Sequence, residues 1–116
     1  MAESILSSVR PDVDVYEEDD HFDDRLIKEI NAAFGVLYQL GVGPKRGFRI
    51  TGDTEVWSDF MDDEIRLEMV KDYVSRKVQM VFDPPQSSVL MEALKASIAE
   101  YEWRLSVMPD FIREDI

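Results

Sequence analysis

The stretch from residue 69 to 107 limits the possible folds more than any other part of the chain. Apolar residues recur there at three- and four-residue spacing on both sides of the segment 83–88 (DPPQSS), which predicts two amphipathic helices. Its two prolines end the first helix, because proline lacks an amide donor and clashes with the preceding turn, and either serine can cap the second. The short connection predicts an antiparallel hairpin of helices over 62–82 and 87–106. The predicted buried stripes are Leu67, Val70, Val74, Val78 and Val81 in the first helix, and Leu90, Leu94, Ile98 (or Ser97), Tyr101 and Leu105 in the second.

A third helix is predicted over 22–40. Asp23 and Asp24 suit the positive end of its dipole, and Gly41 suits its C-terminal cap. Its apolar stripe consists of Leu26, Ile27, Ile30, Phe34, Leu37 and Tyr38. A short N-terminal helix before Pro11 and an acidic loop complete the region 1–21. We therefore predict an all-α fold: a small antiparallel helical bundle of three main helices plus the short N-terminal helix, in a single domain over 1–116.

Between the predicted helices lies the segment 41–61, which is expected to be an extended arm. Residues 41–53 contain four glycines and a proline, so they cannot form a regular helix. Apolar and polar residues alternate over 47–51, which predicts a short strand or an extended arm. A lone short strand is rarely stable, so this one needs a partner in the same chain or in a neighbouring subunit.

Composition narrows the class of protein. The 116 residues are 45% hydrophobic, which is enough to build a core. The chain has no cysteine, which excludes disulfide scaffolds, Cys-ligated zinc and thiol catalysis and favours folding inside the cell. The N-terminal residues do not follow the pattern of a signal peptide, and no apolar run approaches the ~20 residues of a membrane helix. We expect a soluble protein that does not enter a membrane.

The formal net charge of −12, from 25 acidic and 13 basic residues, disfavours tight contact with nucleic acid, whose phosphates must be neutralised. Residues 12–24 include eight acids and no Lys or Arg. This run is either a solvated loop that keeps the protein soluble or part of the wall of a channel along which DNA slides. The possible channel-facing acids are Asp19, Asp20, Asp23 and Asp24.

Signs of catalysis are weak. His21 lies among aspartates, but the spacing fits no EF-hand loop, and solvated residues at a helix entry explain it better. The glycine-rich segment 41–47 lacks the Ser or Thr that follows the lysine of a phosphate loop, so it is read as a turn. No Ser–His or Cys–His pairing is suggested. We expect no enzyme activity, no cofactor and no metal.

Several apolar residues do not fit the buried stripes and are predicted partner or subunit contacts. Trp103 lies about half a turn off its stripe, so it is either part of a second packing face or an anchor for a partner. Trp57 and Phe60 lie on the arm, where they either anchor a partner or fold back as a lid on the core. The tail 107–116 is either a frayed terminus or an arm that orders on a partner. The predicted contacts are Phe48, Ile50, Trp57, Phe60, Trp103, Phe111, Ile112 and Ile116.

The helix–Pro-Pro–helix unit of 69–107, and to a lesser extent the segment 53–60 (DTEVWSDF), resembles the head–tail connector proteins of long-tailed bacteriophages, also called adaptor or head-completion proteins. The resemblance implies a structural virion protein without catalytic activity that forms a ring of about twelve copies beneath the portal protein. The ring would prolong the DNA channel and dock the tail-side completion or stopper protein. Genomic DNA would pass through without specific binding, and assembly would take place in the host cytoplasm.

The resemblance also implies uses for the two arms. The arm 41–61 would reach toward a neighbouring copy or the tail-side protein, and the tail 107–116 toward the portal. An alternative from another class is an acidic helical inhibitor that binds a basic or DNA-binding protein as a DNA mimic. Binding by a mimic would depend strongly on salt, whereas binding by a connector through apolar arms would tolerate salt better.

Overall fold

The computed structural model describes residues 3–13, 22–62 and 65–107. These residues form five α-helices and one 3₁₀ turn, namely α1 (Ile5–Val9), the turn Pro11–Val13, α2 (Asp23–Gln39), α3 (Trp57–Phe60), α4 (Ile65–Phe82) and α5 (Ser88–Val107). The only β pairing among the described residues is an isolated antiparallel bridge between Ser4 and Val56. The predicted all-α bundle is therefore confirmed.

α2 ends in a Schellman motif, in which the chain turns back through a left-handed residue. Gly41 has a φ of 84°, and its amide donates to the carbonyl of Tyr38 at 3.0 Å. The amide of Val42 donates to the carbonyl of Leu37 at 2.9 Å. Two of the last carbonyls of the helix are thereby satisfied, so Gly41 is the cap that the sequence predicted.

α4 is the central helix of the bundle, and both α2 and α5 pack against it. Phe22, next to the start of α2, contacts Phe82 at the end of α4, so these two helices run antiparallel. The predicted hairpin of α4 and α5 is also confirmed. Its second helix begins one residue after Ser87, whose hydroxyl accepts a hydrogen bond from the amide of Leu90 at 3.4 Å.

The core lies between α1, α2 and α4, with α5 adding its inner face. Most of the predicted stripe residues are buried, but Tyr38, Val81 and Leu90 are 52%, 44% and 59% exposed. Val81 and Leu90 flank the Pro-Pro turn at one end of the hairpin, and Tyr38 lies at the edge of its stripe. The largest fully buried side chains include Tyr73, Phe34, Ile5, Leu6, Leu26 and Ile30.

The segment 41–61 differs from the predicted extended arm. Residues 47–51 form no strand, and the four-residue helix α3 within the segment was not predicted. The segment instead folds back on α2, because its apolar side chains join the core and the side chain of Asn31 on α2 satisfies the backbone of Ile50.

Among the residues that the structure describes, no helix combines the length and the hydropathy that crossing a membrane requires.

Candidate assembly surfaces

An aromatic cluster fixes the segment 41–60 to α2. The ring of Phe34 on α2 lies 4.9 Å from that of Phe48 and 4.9 Å from that of Phe60, measured between centroids. Trp57 completes the cluster at 6.0 Å from Phe34. Edge-to-face and tilted aromatic pairs of this kind add about 0.5–1.5 kcal/mol each beyond the area that they bury. The cluster therefore holds the segment on its own chain.

Two local features allow this close packing. The Asn31 amide donates to the carbonyl of Ile50 at 2.9 Å and accepts from its amide at 2.7 Å, so one side chain provides the hydrogen bonds that a neighbouring strand would otherwise give. At Gly43 the φ is 94°, and an added Cβ would lie 2.5 Å from the ring of Phe60. Only glycine gives the chain both this backbone conformation and this close approach.

The N-terminal region also holds the segment 41–60, through hydrogen bonds between residues 4–8 and residues 53–57. The amide of Ile5 donates to the carbonyl of Glu55 at 2.9 Å, and the indole of Trp57 donates to the hydroxyl of Ser8 at 2.9 Å. The hydroxyls of Ser4 and Ser7 both donate to the carboxylate of Asp53. These hydrogen bonds lower the pKa of the Asp53 carboxyl, and the bond from Ser4 has the largest effect.

The predicted contact residues of the segment 41–61 are thus mostly internal. Ile50, Trp57 and Phe60 are 0%, 7% and 4% exposed, and Phe48 is half-buried against the core. Trp57 and Phe60 therefore form a lid on the core, which was one of the two alternatives. The other alternative, aromatic anchors on an exposed arm, does not describe them. Aromatic side chains that can reach their own core are buried there by the hydrophobic effect.

A polar seam attaches α5 to α4. Tyr73 donates its hydroxyl to the carboxylate of Glu102 at 2.8 Å, and Tyr101 donates to Asp72. Arg76 bridges the helices by donating to Asp72 at 3.1 Å and to the hydroxyl of Ser97 at 3.0 Å. Burial and then the Glu102 carboxylate raise the pKa of Tyr73, and the bond to Asp72 raises that of Tyr101. The seam orients α5 through directional bonds.

The side of α5 away from α4 exposes apolar residues along the whole helix. Val89, Trp103 and Val107 are 76%, 65% and 46% exposed, and Ala96 is exposed between them. We call this side, which also carries Glu92, Ala93, Ala99 and Glu100, the outer face of α5. Trp103 is the one predicted contact residue among the described part of the chain that is largely exposed, and an exposed tryptophan is typical of a binding anchor.

The predicted channel-facing acids have different surroundings. Asp23 accepts hydrogen bonds from the guanidinium of Arg10 at 3.2 and 2.6 Å, and Arg10 is only 5% exposed, so Asp23 has a structural role in the bundle. Asp24 is exposed. Other predicted residues lie outside the described part of the chain, namely Asp19, Asp20, Phe111, Ile112 and Ile116, and so does His21.

Nothing in the described residues resembles a reaction centre. An open cleft of about 460 Å³ lies where the 3₁₀ turn meets α4 and α5. Within it, the hydroxyl of Ser75 donates to Asp12 at 2.8 Å, and none of the described residues that line the cleft carries an imidazole. The described residues also contain no group of three His, Cys, Asp or Glu side chains placed to hold a metal. The cleft is lined by charged and polar side chains together with Met69 and Tyr101.

The fold and its surfaces define a small helical bundle with an exposed apolar face on α5. The model of the phage connector protein family matches residues 5–110, which include every described helix. The chain therefore belongs to the phage connector protein family, as its helix–Pro-Pro–helix unit indicated, and it is a phage structural protein of the virion. No curated protein and no solved structure matches the chain.

Proposed function

We propose that this protein forms a ring beneath the portal protein of a phage head, prolongs the DNA channel and provides the docking surface for the tail-side completion or stopper protein. About twelve copies would form the ring, in keeping with the cyclic symmetry of such assemblies. The ring would form in the host cytoplasm and remain at the head–tail interface of the virion. The protein would act by binding alone and would not be an enzyme.

The observation that carries the proposal is the outer face of α5. A 20-residue helix is about 30 Å long, and α5 buries only Leu94, Ile98 and Leu105. The exposed tryptophan and valines of its outer face would be covered in an assembly, since large apolar patches on soluble proteins usually mark interaction sites.

The charge suits a DNA conduit. An excess of acidic residues gives a net charge of −12 and would keep the genome from adhering to the channel wall, because like charges repel DNA phosphates. Asp19, Asp20 and Asp24 are the proposed wall residues. Asp23, which is paired with Arg10, would contribute less to the wall potential.

The remaining contacts are assigned to the tail and to the segment 41–61. The tail residues Phe111, Ile112 and Ile116 would bind the portal. The segment 41–61 would meet a neighbouring copy or the tail-side protein through its exposed side, which carries Lys45, Arg46 and Arg49, because its aromatic residues face inward.

Electron microscopy of the purified protein mixed with its candidate portal protein tests the proposal, with each protein alone as a control. The expected result is a ring stacked on the narrow end of the portal. The absence of a ring would overturn the proposal. A stable, salt-sensitive complex with a basic protein would then support the DNA-mimic alternative.

A further inference from the structure

We propose that neighbouring copies join edge to edge, so that the outer face of α5 of one copy packs against the exposed side of α2 of the next. The proposal rests on the ring assembly of the proposed function and names the surfaces that form it. The occupant of the outer face of α5 is thus a second copy of this chain.

The order of the helices makes such a contact possible. α4 lies between α2 and α5, so α2 and α5 are on different sides of it and each leaves one side exposed. Both run antiparallel to α4 and therefore parallel to each other. A second copy placed beside the first would continue the same layer of helices. The contact joins two different surfaces, and such a head-to-tail contact closes into a ring when its rotation permits.

The exposed side of α2 contains a glycine that the single chain does not require. Arg25, Lys28, Ala32, Gly35 and Gln39 are exposed and follow one another at three- and four-residue spacing, which places them on one ridge. We call this ridge the outer face of α2. A Cβ at Gly35 would meet nothing within 4 Å, and glycine inside a helix costs about 1 kcal/mol relative to alanine. A closely approaching helix explains why alanine is not used.

The two outer faces are complementary in charge and in shape. When the parallel helices are aligned with one constant offset, Lys28 faces Glu92, Ala32 faces Ala96, and Gln39 faces Trp103. Lys28 makes no ion pair with any other described residue, and the pair of Glu92 with Lys95 is an exposed contact of 3.5 Å, which is readily exchanged.

The same offset places Gly35 opposite Ala99, next to the point where Trp103 would lie. The middle of the contact therefore has small side chains on both helices, which allows close approach. A large aromatic lies at one end and a charge pair at the other. This order fixes the direction and the register of the contact.

Disulfide cross-linking tests the contact, because the natural chain contains no cysteine. The double variant Ala32→Cys/Ala96→Cys is oxidised with and without the candidate portal protein and analysed by non-reducing electrophoresis. The two positions lie on different sides of α4, so a single molecule cannot link them. We expect a ladder of dimers, trimers and larger species. The matched control Ala32→Cys/Lys95→Cys, with the second cysteine turned about 100° around the helix, should give at least fivefold less product.

The single variant Ala96→Cys tests another arrangement. Ala96→Cys alone would give efficient dimers if α5 packed on α5 about a twofold axis, and that result would overturn the proposal. If electron microscopy shows rings but the double variant gives no ladder of cross-linked species, the proposed contact is overturned and the proposed function stands. A ladder without binding to the portal would support the contact and count against the connector ring. Failure of both would remove both proposals.

Charge reversal gives a second, independent test. Lys28→Glu and Glu92→Lys each place like charges across the contact, and each variant alone should assemble at least threefold less well than the natural protein. A mixture of the two should recover assembly, because alternating copies restore every opposite-charge pair. Equal assembly of all three samples would overturn the proposed register.

Discussion

The segment 41–60 and the outer face of α5 carry similar apolar side chains, including one tryptophan each, but the fold uses them differently. Trp57 is 7% exposed and Trp103 is 65% exposed. The first donates a hydrogen bond to Ser8 and packs near Phe34. The second lies on a regular helix whose opposite side is already packed against α4. One region thus completes the monomer, and the other remains available for assembly.

The difference shows what decides whether an apolar side chain outside a regular stripe is buried in the core or stays exposed. An irregular segment can bend its aromatics inward if its backbone hydrogen bonds are satisfied, and Asn31 does this for Ile50. A residue on a helix has its direction set by the helix itself. Trp103 therefore cannot reach the core without breaking α5, and none of the residues that the structure describes covers it.

Replacing each tryptophan by alanine gives the largest contrast between the two regions. Trp57→Ala should lower the free energy of unfolding by about 3–5 kcal/mol, because it removes a buried aromatic and leaves a cavity. Trp103→Ala should change it by less than about 0.5 kcal/mol, as expected for an exposed site. Urea denaturation followed by circular dichroism measures both. A large loss of stability in Trp103→Ala would show that it serves the core.

Removal of the Asn31 side chain should release the segment 41–60 from α2. Asn31→Ala leaves the amide and the carbonyl of buried Ile50 without partners, and each such group costs about 1–3 kcal/mol. We expect a loss of about 2–4 kcal/mol by urea denaturation, whereas Gln39→Ala, at an exposed position of the same helix, should stay within about 0.5 kcal/mol. Equal effects of the two variants would refute the anchoring role.

Two glycines sharpen the same comparison. Gly43→Ala should destabilise by about 2 kcal/mol, because a left-handed backbone disfavours a Cβ and the ring of Phe60 occupies its place. Gly35→Ala should instead stabilise the monomer by up to about 1 kcal/mol. Thermal unfolding of the two variants checks the opposite signs. A stabilised Gly43→Ala would contradict the close packing of the segment on the core.

The seam that holds α5 should weaken in alkaline solution. The pKa of Tyr73 is raised above its ordinary value of 10.0. As the pH rises, the unfolded chain therefore loses the phenol proton of Tyr73 before the folded protein does. Stability from this group is therefore complete below about pH 10 and declines as the pH rises further. Tyr73→Phe should cost about 1.5 kcal/mol at neutral pH and should flatten that decline in urea titrations. Tyr38→Phe, at an exposed position, is the control and should do neither.

The regular parts of the fold could be predicted from the sequence, because the spacing of apolar residues and the residues that end helices are local signals. The spacing of apolar residues located α2, α4 and α5, and Gly41 marked the end of α2. The direction of the segment 41–60 could not be predicted in this way. It depends on contacts between Asn31 and Ile50 and between Gly43 and Phe60, which only the tertiary fold brings together.

The surfaces were predicted only in part, for the same reason. The position of Trp103 off its helical stripe was visible in the sequence, and the structure leaves it exposed. The inward turn of Trp57 and Phe60 was only one of two alternatives. Gly35 had no recognisable signal, because a glycine that nothing in the monomer requires can be identified only once its neighbours are known.

The central claim is that assembly covers the outer face of α5, and acrylamide quenching of Trp103 fluorescence tests it most directly. The variant Trp57→Phe leaves Trp103 as the sole tryptophan, and Trp103→Phe leaves Trp57 as the matched control. Trp103 should be strongly quenched in the free protein and protected in the complex with the portal, whereas Trp57 should be protected in both. Equal quenching of Trp103 in the free and assembled states would contradict the account.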